Sequence, residues 1–294
     1  MPRTLSQKAA GALASSRLLR RGQTLYAENQ NNWYLPLSRA DKLKSGLWLI
    51  LHDYSRGVFP PQFLDQQKAY QDEKNYRFSI PGITAAEVSR NNMTKPFWRG
   101  NSLQMYLAHF CRIVRCLEGA GVQPPAKVLE LGCGGGWASE FLATIGYDVC
   151  GTTISEDDIT DAHRRVKSLE ARGLPSTLKF AASPMESVHT VVPPGTFDAV
   201  FIYEALHHAF DWRASLHSSY ACLKPGGWML VCNEPNVLHT YISYRVARLT
   251  NTHEIGFSKK ELIAELRQAG FRNISSSGPK FHWWFSPHWL LAQK

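Results

Sequence analysis

The chain has 294 residues, of which 44% are hydrophobic and 19% are charged, and these fractions are ordinary for a globular protein. They exclude a mostly disordered, collagen-like or coiled-coil chain, and the length allows one large domain or one domain with an extension. No stretch approaches about 18 consecutive apolar residues, so no transmembrane helix is expected.

Positive charge is concentrated in the first third of the chain. The formal net charge is +9, and residues 1–100 hold 15 basic and 7 acidic side chains, whereas residues 101–294 hold 18 and 17. Such a surface either meets an anionic partner, such as phosphate, a membrane face or nucleic acid, or is a solvated basic face. Peripheral contact of the N-terminal region with an anionic membrane is therefore one expectation.

The first 27 residues contain five basic and no acidic side chains. This composition is typical of a mitochondrial transit peptide and equally of a basic amphipathic helix. The six cysteines form no CxxC pair, which disfavours a zinc site and favours a reducing compartment. The sequence predicts a cytoplasmic protein with no metal site, or a mitochondrial one if residues 1–27 are a transit peptide.

The chain divides into two parts by pattern. Residues 1–101 are basic, aromatic and interrupted by Pro and Gly, with helices predicted near 4–21 and 40–53. From residue 102 onward, a helical apolar pattern leads into short apolar runs that alternate with helical stretches. We predict an N-terminal extension or substrate cap over 1–101 and a second domain over 102–294.

Seven apolar runs in the second part are predicted to be strands: Lys127–Leu131, Asp148–Thr153, Thr177–Phe180, Phe197–Tyr203, Gly227–Cys232, Arg272–Ser276 and Trp289–Ala292. Helices are predicted over 137–145, 156–171, 213–222 and 258–268. This alternation indicates an α/β fold with a doubly wound, mostly parallel, seven-stranded sheet covered on both faces. In such sheets, ligands bind at the carboxyl ends of the strands.

A glycine-rich loop follows the first of these strands. The strand runs into Gly132, Gly134 and Gly136, and a helix follows. A dinucleotide site would have G-x-G-x-x-G, but here Trp137 stands where the third glycine should be. Glu130, inside the strand, suits an ammonium group, and the helix N-terminus suits a carboxylate. The loop therefore favours an amino-acid moiety as its ligand.

With this loop the chain resembles the class I S-adenosylmethionine-dependent methyltransferases, especially the small-molecule group. Their first motif, E/DxGxGxG, is matched by Glu130 and the three glycines. Over 102–294 the resemblance extends to three further segments, 197–208, 223–231 and 257–271. It implies a Rossmann-like methyltransferase fold and S-adenosylmethionine as cofactor.

The resemblance also implies a set of cofactor-binding residues: Glu130, Gly132, Cys133, Gly134, Gly136, Thr153, Ser183, Met185 and Tyr203. Two positions depart from the family pattern. Thr153 stands where the family usually has an acidic residue that holds the ribose hydroxyls. The adenine-contacting Asp after the third strand is absent, which leaves Ser183 or the backbone near Met185 as candidates.

Family geometry places the loop after the fourth strand beside the transferred methyl group. His208 and His207 lie in this loop, and either is predicted to act as general base toward a substrate hydroxyl, because imidazole has a near-neutral pKa. Alternatively, both serve packing or the shape of the cofactor site. Glu234, after the fifth strand, is a second candidate base.

Two segments are expected to decorate the sheet near the acceptor. They contribute aromatic and basic side chains that either line a pocket or pack the extension: Trp33, Tyr34, Trp48, Tyr76, Phe97, Trp98, Tyr241, Tyr244, Arg245, Arg248 and His253. The segment Phe281–Phe285 is expected to form the last hairpin turn.

The sequence predicts an enzyme that methylates a small molecule, glycan or lipid-linked acceptor, with oxygen favoured as the methylated atom. Alternatives are lipid carbon methylation or cyclopropanation, an RNA methyltransferase, and a non-catalytic scaffold with a cofactor fold. Nucleic acid is less favoured, because no recognisable RNA-binding module is present. The acceptor and the oligomeric state are not predicted.

Overall fold

The computed structural model describes residues 3–31, 36–61, 64–80, 82–97, 101–174, 177–276 and 286–294. The chain forms two compact units, one comprising 1–83 and 237–256 and the other comprising 84–236 and 257–294. The predicted division into a substrate cap over 1–101 and a second domain over 102–294 concerns function, and it stays a prediction. Trp33, Tyr34, Trp98 and the segment Phe281–Phe285 lie outside the described residues.

A seven-stranded sheet forms the centre of the second unit. Its strands are β1 (Lys127–Leu131), β2 (Asp148–Thr153), β3 (Lys179–Ala182), β4 (Phe197–Tyr203), β5 (Leu223–Glu234), β6 (Arg272–Ser276) and β7 (His288–Gln293). The strand order is β3-β2-β1-β4-β5-β7-β6, and only β7 runs antiparallel to its neighbours. The sheet is therefore doubly wound and mostly parallel, as predicted.

Six α-helices accompany the sheet in the described part of this unit: α5 (Ala85–Thr94), α6 (Asn101–Gly119), α7 (Trp137–Thr144), α8 (Glu156–Ala171), α9 (Trp212–Cys222) and α11 (Lys259–Gln268). The core between α6, α7 and the sheet includes Ile113, Leu117, Leu142 and Phe201, all with 0% exposure. Burial of each such side chain stabilises the folded state by about 1.5–3 kcal/mol.

The register of the central strands positions the site. Leu131 at the end of β1 pairs with Thr152 of β2 and with Ile202 of β4. Because these strands are parallel, the segments that follow β1, β2 and β4 leave the sheet at one edge.

The first unit is helical. Its helices are α1 (Leu5–Ala14), α2 (Arg20–Asn31), α3 (Arg39–Ser55), α4 (Gln66–Asn75) and α10 (Leu238–Thr250). Both α1 and α2 pack on α3, and α10 packs on α3 and α2. Among the residues that the structure describes in either unit, no helix is long and apolar enough to span a bilayer.

A buried aspartate connects α3 to α10 inside the first unit. Asp53 is 3% exposed and accepts hydrogen bonds from the Tyr244 hydroxyl at 2.8 Å and from Nε of Arg248 at 3.2 Å. Arg245 is buried and donates to the Asn29 side chain at 2.8 Å. Tyr244, Arg245 and Arg248 therefore hold α10 against the other helices of this unit, and the roles expected for them toward the acceptor or the sheet stay predictions.

Several predicted bounds differ from the structure. The helix predicted over 4–21 is interrupted: α1 ends at Ala14, before Ser15 and Ser16, which are weaker helix formers than alanine, and α2 begins at Arg20. The third strand lies at Lys179–Ala182 rather than at the predicted Thr177–Phe180. Residues Lys179–Ala182 are the ones that pair with Cys150–Thr153 of β2. The fifth strand begins earlier than predicted, because Leu223 pairs with Phe197.

Candidate cofactor and active site

The glycine loop between β1 and α7 is built on positions that only glycine fits. Gly132 has φ +70°, and a Cβ there would overlap the Cβ of Ala205. Gly136 has φ +74°, and a Cβ there would lie 2.5 Å from Cζ of Phe180. Both glycines therefore allow Ala205 and Phe180 to approach the loop backbone more closely than any side chain would permit.

Two backbone hydrogen bonds hold the shape of this loop. The Cys133 N–H donates to the Thr152 carbonyl and the Gly136 N–H donates to the Cys133 carbonyl, each at 2.9 Å. By contrast, the N–H groups of Gly134 and Gly135 have no hydrogen-bond partner within the described ranges of the chain. Together with the N-terminus of α7, these donors fit the carboxylate of an amino-acid moiety.

Glu130 places a buried carboxyl group beside the loop. Its side chain is 2% exposed, and the Ser139 hydroxyl, on α7, donates to its carboxylate. Burial raises the pKa of Glu130 to about 7, although the hydrogen bonds from Ser139 act in the opposite direction. A cationic ligand at the loop would favour the ionised carboxylate, so Glu130 fits the ammonium group of the same moiety.

The predicted residues of β2 and of the segment after β3 lie next to each other. Thr153 ends β2, and the Ser183 N–H donates to the Thr153 carbonyl at 2.9 Å. The methyl carbon of Met185 lies 3.6 Å from the position that a Gly132 Cβ would occupy. The structure thus brings these three residues and the loop to one edge of the sheet, and their contacts with a cofactor remain predictions.

A second carboxylate organises the loop that follows β4. Glu234, the last residue of β5, has 0% exposure. Its Oε1 accepts the N–H groups of Ala205 at 2.8 Å and Leu206 at 2.9 Å. Its Oε2 accepts from the His207 N–H at 3.2 Å and is 2.9 Å from Nδ1 of His207. One buried side chain therefore fixes three consecutive residues and one imidazole.

This arrangement also explains the charge of Glu234. Burial acts to raise its pKa, but the interaction with His207 and the hydrogen bonds from the backbone outweigh burial, so the pKa lies below its ordinary value. Glu234 is therefore ionised at neutral pH, and both of its oxygens are engaged by donors. Its surroundings suit an orienting group.

The two histidines lie in a short 3-10 turn, Leu206–His208, beside the glycine loop. The ring centroids of His207 and His208 are 4.1 Å apart, and Ala205, immediately before the turn, is the residue that faces Gly132. His207 is 8% exposed, whereas His208 is more accessible. The structure thus places both candidate bases at the carboxyl end of β4, next to the loop.

Tyr203 lies on the side of β4 that α6 covers. Its hydroxyl is 2.8 Å from Nδ1 of His109, and its ring packs against Trp137, with the centroids 6.0 Å apart. Burial, and then the charge of Glu204, raise the pKa of Tyr203 well above its ordinary value. The ring therefore packs behind the start of α7, and the hydroxyl is hydrogen-bonded to His109 of α6.

Sequence patterns did not reveal three polar side chains that support the site. These are Ser139, which is hydrogen-bonded to Glu130; His109, which is hydrogen-bonded to Tyr203; and Arg165, which donates to the glycine loop. The first two lie in helices without any motif. Arg165 also lies in an ordinary amphipathic helix, where an arginine is expected on the solvent side, so no local signal could have found it.

Comparisons with known proteins agree with this geometry. A family model described as a methyltransferase domain matches residues 106–276. The ubiquinone biosynthesis O-methyltransferase of Bordetella bronchiseptica is 28% identical over 220 residues, which cover 69% of this chain and 88% of that protein. The protein of the same name from Bordetella avium is 31% identical over 176 residues, covering 56% and 70%.

A solved structure shares the fold. The magnesium protoporphyrin IX methyltransferase of Synechocystis, determined with bound S-adenosylhomocysteine (SAH), superposes with a TM-score of 0.55 at 17% identity. The superposition covers 78% of this chain and 100% of that one. The protein is thus an enzyme that uses S-adenosylmethionine as its methyl donor, and the chain belongs to the class I S-adenosylmethionine-dependent methyltransferases.

Proposed function

We propose that this methyltransferase methylates a hydroxyl oxygen, on a small aromatic or lipid-linked acceptor, with His207 as general base. The observation that carries the proposal is the 2.9 Å contact between Nδ1 of His207 and the buried carboxylate of Glu234, in a loop that touches the glycine loop. The relatives named O-methyltransferases of ubiquinone biosynthesis support oxygen as the acceptor atom.

The residues of the glycine loop hold the donor in this proposal. The N–H groups of Gly134 and Gly135 bind the carboxylate of S-adenosylmethionine, Glu130 binds its ammonium group, and Thr153 and Ser183 face the ribose and adenine. When bound, S-adenosylmethionine supplies a methyl group that its sulfonium already activates. The protein's task is therefore to place the acceptor in line and to remove one proton.

His207 removes that proton. Because Nδ1 is directed at Glu234, Nε2 is the nitrogen assigned to the acceptor hydroxyl. The oxygen forms the new bond to the methyl carbon, the sulfur keeps the electron pair of the broken bond, and the proton passes to Nε2. The ionised Glu234 stabilises the imidazolium that results, as an orienting carboxylate does in other His-dependent sites.

An unbiased acceptor search tests this function. Purified protein is incubated with a metabolite extract and S-adenosylmethionine carrying a labelled methyl group, and labelled products are identified by mass spectrometry. The proposal expects label on the oxygen of a small molecule, and it expects the His207→Ala protein to lose most of that product. Label confined to RNA, or to a carbon of a lipid chain, would contradict it.

We also propose that the first unit touches an anionic membrane surface through α1. On α1, whose buried residues are Ala10 and Ala14, Leu5 is 86% exposed and Leu13 is 48% exposed. Leu18, just after α1, is 84% exposed. Exposed basic residues accompany these leucines: Arg3, Lys8, Arg17 and Arg20. Apolar side chains flanked by cations suit the interface of an anionic bilayer.

Vesicle sedimentation tests this contact. The protein should sediment with phosphatidylglycerol-containing vesicles and much less with pure phosphatidylcholine vesicles, and the Leu5→Ser, Leu18→Ser double variant should lose several-fold of the binding. Leu64→Ser is a matched control, because Leu64 is 90% exposed but is followed by Asp65. Equal sedimentation of wild type and double variant would contradict the proposal. A cytoplasmic location remains part of the same proposal.

A further inference from the structure

A buried arginine on α8 contacts the glycine loop. Arg165 is 4% exposed, and its Nε donates to the carbonyl of Gly135 at 2.7 Å. One terminal nitrogen donates to Oε2 of Glu140, on α7, at 2.5 Å. A carbonyl inside the loop and a carboxylate on the helix that follows it are thus held by a single guanidinium group.

The other terminal nitrogen of Arg165 holds the end of α5. It donates to the carbonyls of Asn92 at 2.6 Å, Met93 at 3.3 Å and Lys95 at 2.9 Å. Carbonyls at a helix C-terminus lack partners within the helix, and a cation is favoured there by the helix dipole. The rigid fork of a guanidinium group is suited to serve such separate acceptors at once.

The end of α5 also lies directly against the loop. The Cβ of Asn92 is 3.0 Å from the position that a Gly135 Cβ would occupy. The amide of Asn92 donates to Asp158 at 2.7 Å and to Asp161 at 3.0 Å, both in the first half of α8. Gly135 is therefore enclosed by Asn92 on one side and bound by Arg165 through its carbonyl.

We propose that Arg165 is a positioning residue for donor binding. Together with the bond from the Gly136 N–H to Cys133, the bond of Arg165 to the Gly135 carbonyl holds the peptide plane between Gly135 and Gly136. It thereby restricts the adjacent N–H groups of Gly134 and Gly135, which meet the donor's carboxylate. The inference concerns the donor site alone, so it does not depend on which acceptor atom is methylated.

Two substitutions separate positioning from stability. Arg165→Lys keeps a cation beside Glu140, but a single ammonium group cannot reach the Gly135 carbonyl and the α5 carbonyls together. Glu140→Gln breaks the charge pair and leaves the bonds of Arg165 to the loop and to α5. Arg164→Ala is the control, since the Arg164 side chain is 57% exposed and pairs with Asp161.

Titration calorimetry with SAH and hydrogen exchange of residues 132–137 provide the test. For Arg165→Lys we expect a dissociation constant for SAH about tenfold higher than that of wild type, and faster hydrogen exchange in the loop. For Glu140→Gln and Arg164→Ala the dissociation constant should stay within about twofold of wild type, even if Glu140→Gln lowers the melting temperature. Unchanged affinity in Arg165→Lys would overturn the proposal. So would equal losses of affinity in Arg165→Lys and Glu140→Gln that follow their losses of stability.

Discussion

Oε2 of Glu234 lies 2.9 Å from Nδ1 of His207, and the same carboxylate accepts the backbone N–H groups of Ala205, Leu206 and His207. The loop after β4 is thus tied to the end of β5 by a buried anion. Because Ala205 faces Gly132, this anion sets both the direction of the imidazole and the distance between the histidine loop and the glycine loop.

The first prediction concerns the choice between the two histidines. His207→Ala should lower kcat by about 100-fold, a typical loss for a general base, with the KM for S-adenosylmethionine within about twofold of wild type. His208→Ala, which removes the more accessible of the two rings, should lower kcat by only a few-fold. Steady-state kinetics with the identified acceptor provide the measurement, and the reverse ranking would assign the base to His208.

The second prediction concerns the stability contributed by Glu234. Its folded pKa lies below the ordinary value of 4.5, so its stabilisation is present above pH 4.5 and is lost as the pH falls through the folded value. Glu234→Gln should lower the stability at pH 7 by about 1–3 kcal/mol, because an amide leaves buried N–H groups poorly matched. Urea midpoints of the two proteins should converge as the pH falls below 4.5, and a gap that stays constant would count against this account.

The third prediction concerns proton release from Glu130. Its pKa is raised to about 7 by burial, and a cationic ligand at the loop favours the ionised form. The affinity for SAH should therefore rise about tenfold from pH 6 to pH 8, and binding near pH 6.5 should release up to about one proton. Calorimetry in two buffers of different ionisation enthalpy measures this release.

Glu130→Gln is the control for that experiment, because it removes the titrating group and should bind SAH more weakly with little dependence on pH. The raised pKa also has a consequence for folding: the contribution of Glu130 is fully present below pH 4.5 and is lost as the pH rises through about 7. Proton release that persists in Glu130→Gln would show that another group titrates.

The fourth prediction separates the ring of Tyr203 from its hydroxyl. The hydroxyl is 2.8 Å from His109, whereas the ring packs against Trp137 at the start of α7. Tyr203→Phe should cost about 1 kcal/mol of stability and leave the dissociation constant for SAH within about twofold. Tyr203→Ala should weaken SAH binding as well, because the ring that packs behind α7 is lost. A large loss of affinity in Tyr203→Phe would instead assign the hydroxyl to the cofactor.

The strands could be predicted from the sequence because their signals are local. β1, β2, β4 and β6 have the bounds that apolar runs between Gly and Pro indicate. The missed helices α2, α4, α5 and α10 are rich in polar residues or lie in segments with mixed patterns. Their formation depends on caps, such as the capping box of Thr84 with Glu87, and on packing between segments distant in sequence.

The candidate site likewise contains features that a local sequence pattern predicts and contacts that it does not. The glycine loop and the two histidines were found because residue type and spacing carry their chemistry. The bonds of Glu234 to His207 and of Arg165 to Gly135 join residues 27 and 30 positions apart. Such pairs follow from the order of the strands and the rotation of the helices, which a single sequence does not encode in any short motif.

The donor site itself is tested most directly by filling the glycine loop. Gly134 has φ +51°, and Gly173, in a turn with no atom within 4 Å of its would-be Cβ, has φ +71°. The valine variants of the two therefore carry similar backbone strain, and SAH binding to each is measured by calorimetry on protein whose folding is verified by circular dichroism. The account predicts a loss of at least about 100-fold in affinity for Gly134→Val and wild-type affinity for Gly173→Val; a folded Gly134→Val protein that binds SAH like the wild type would contradict it.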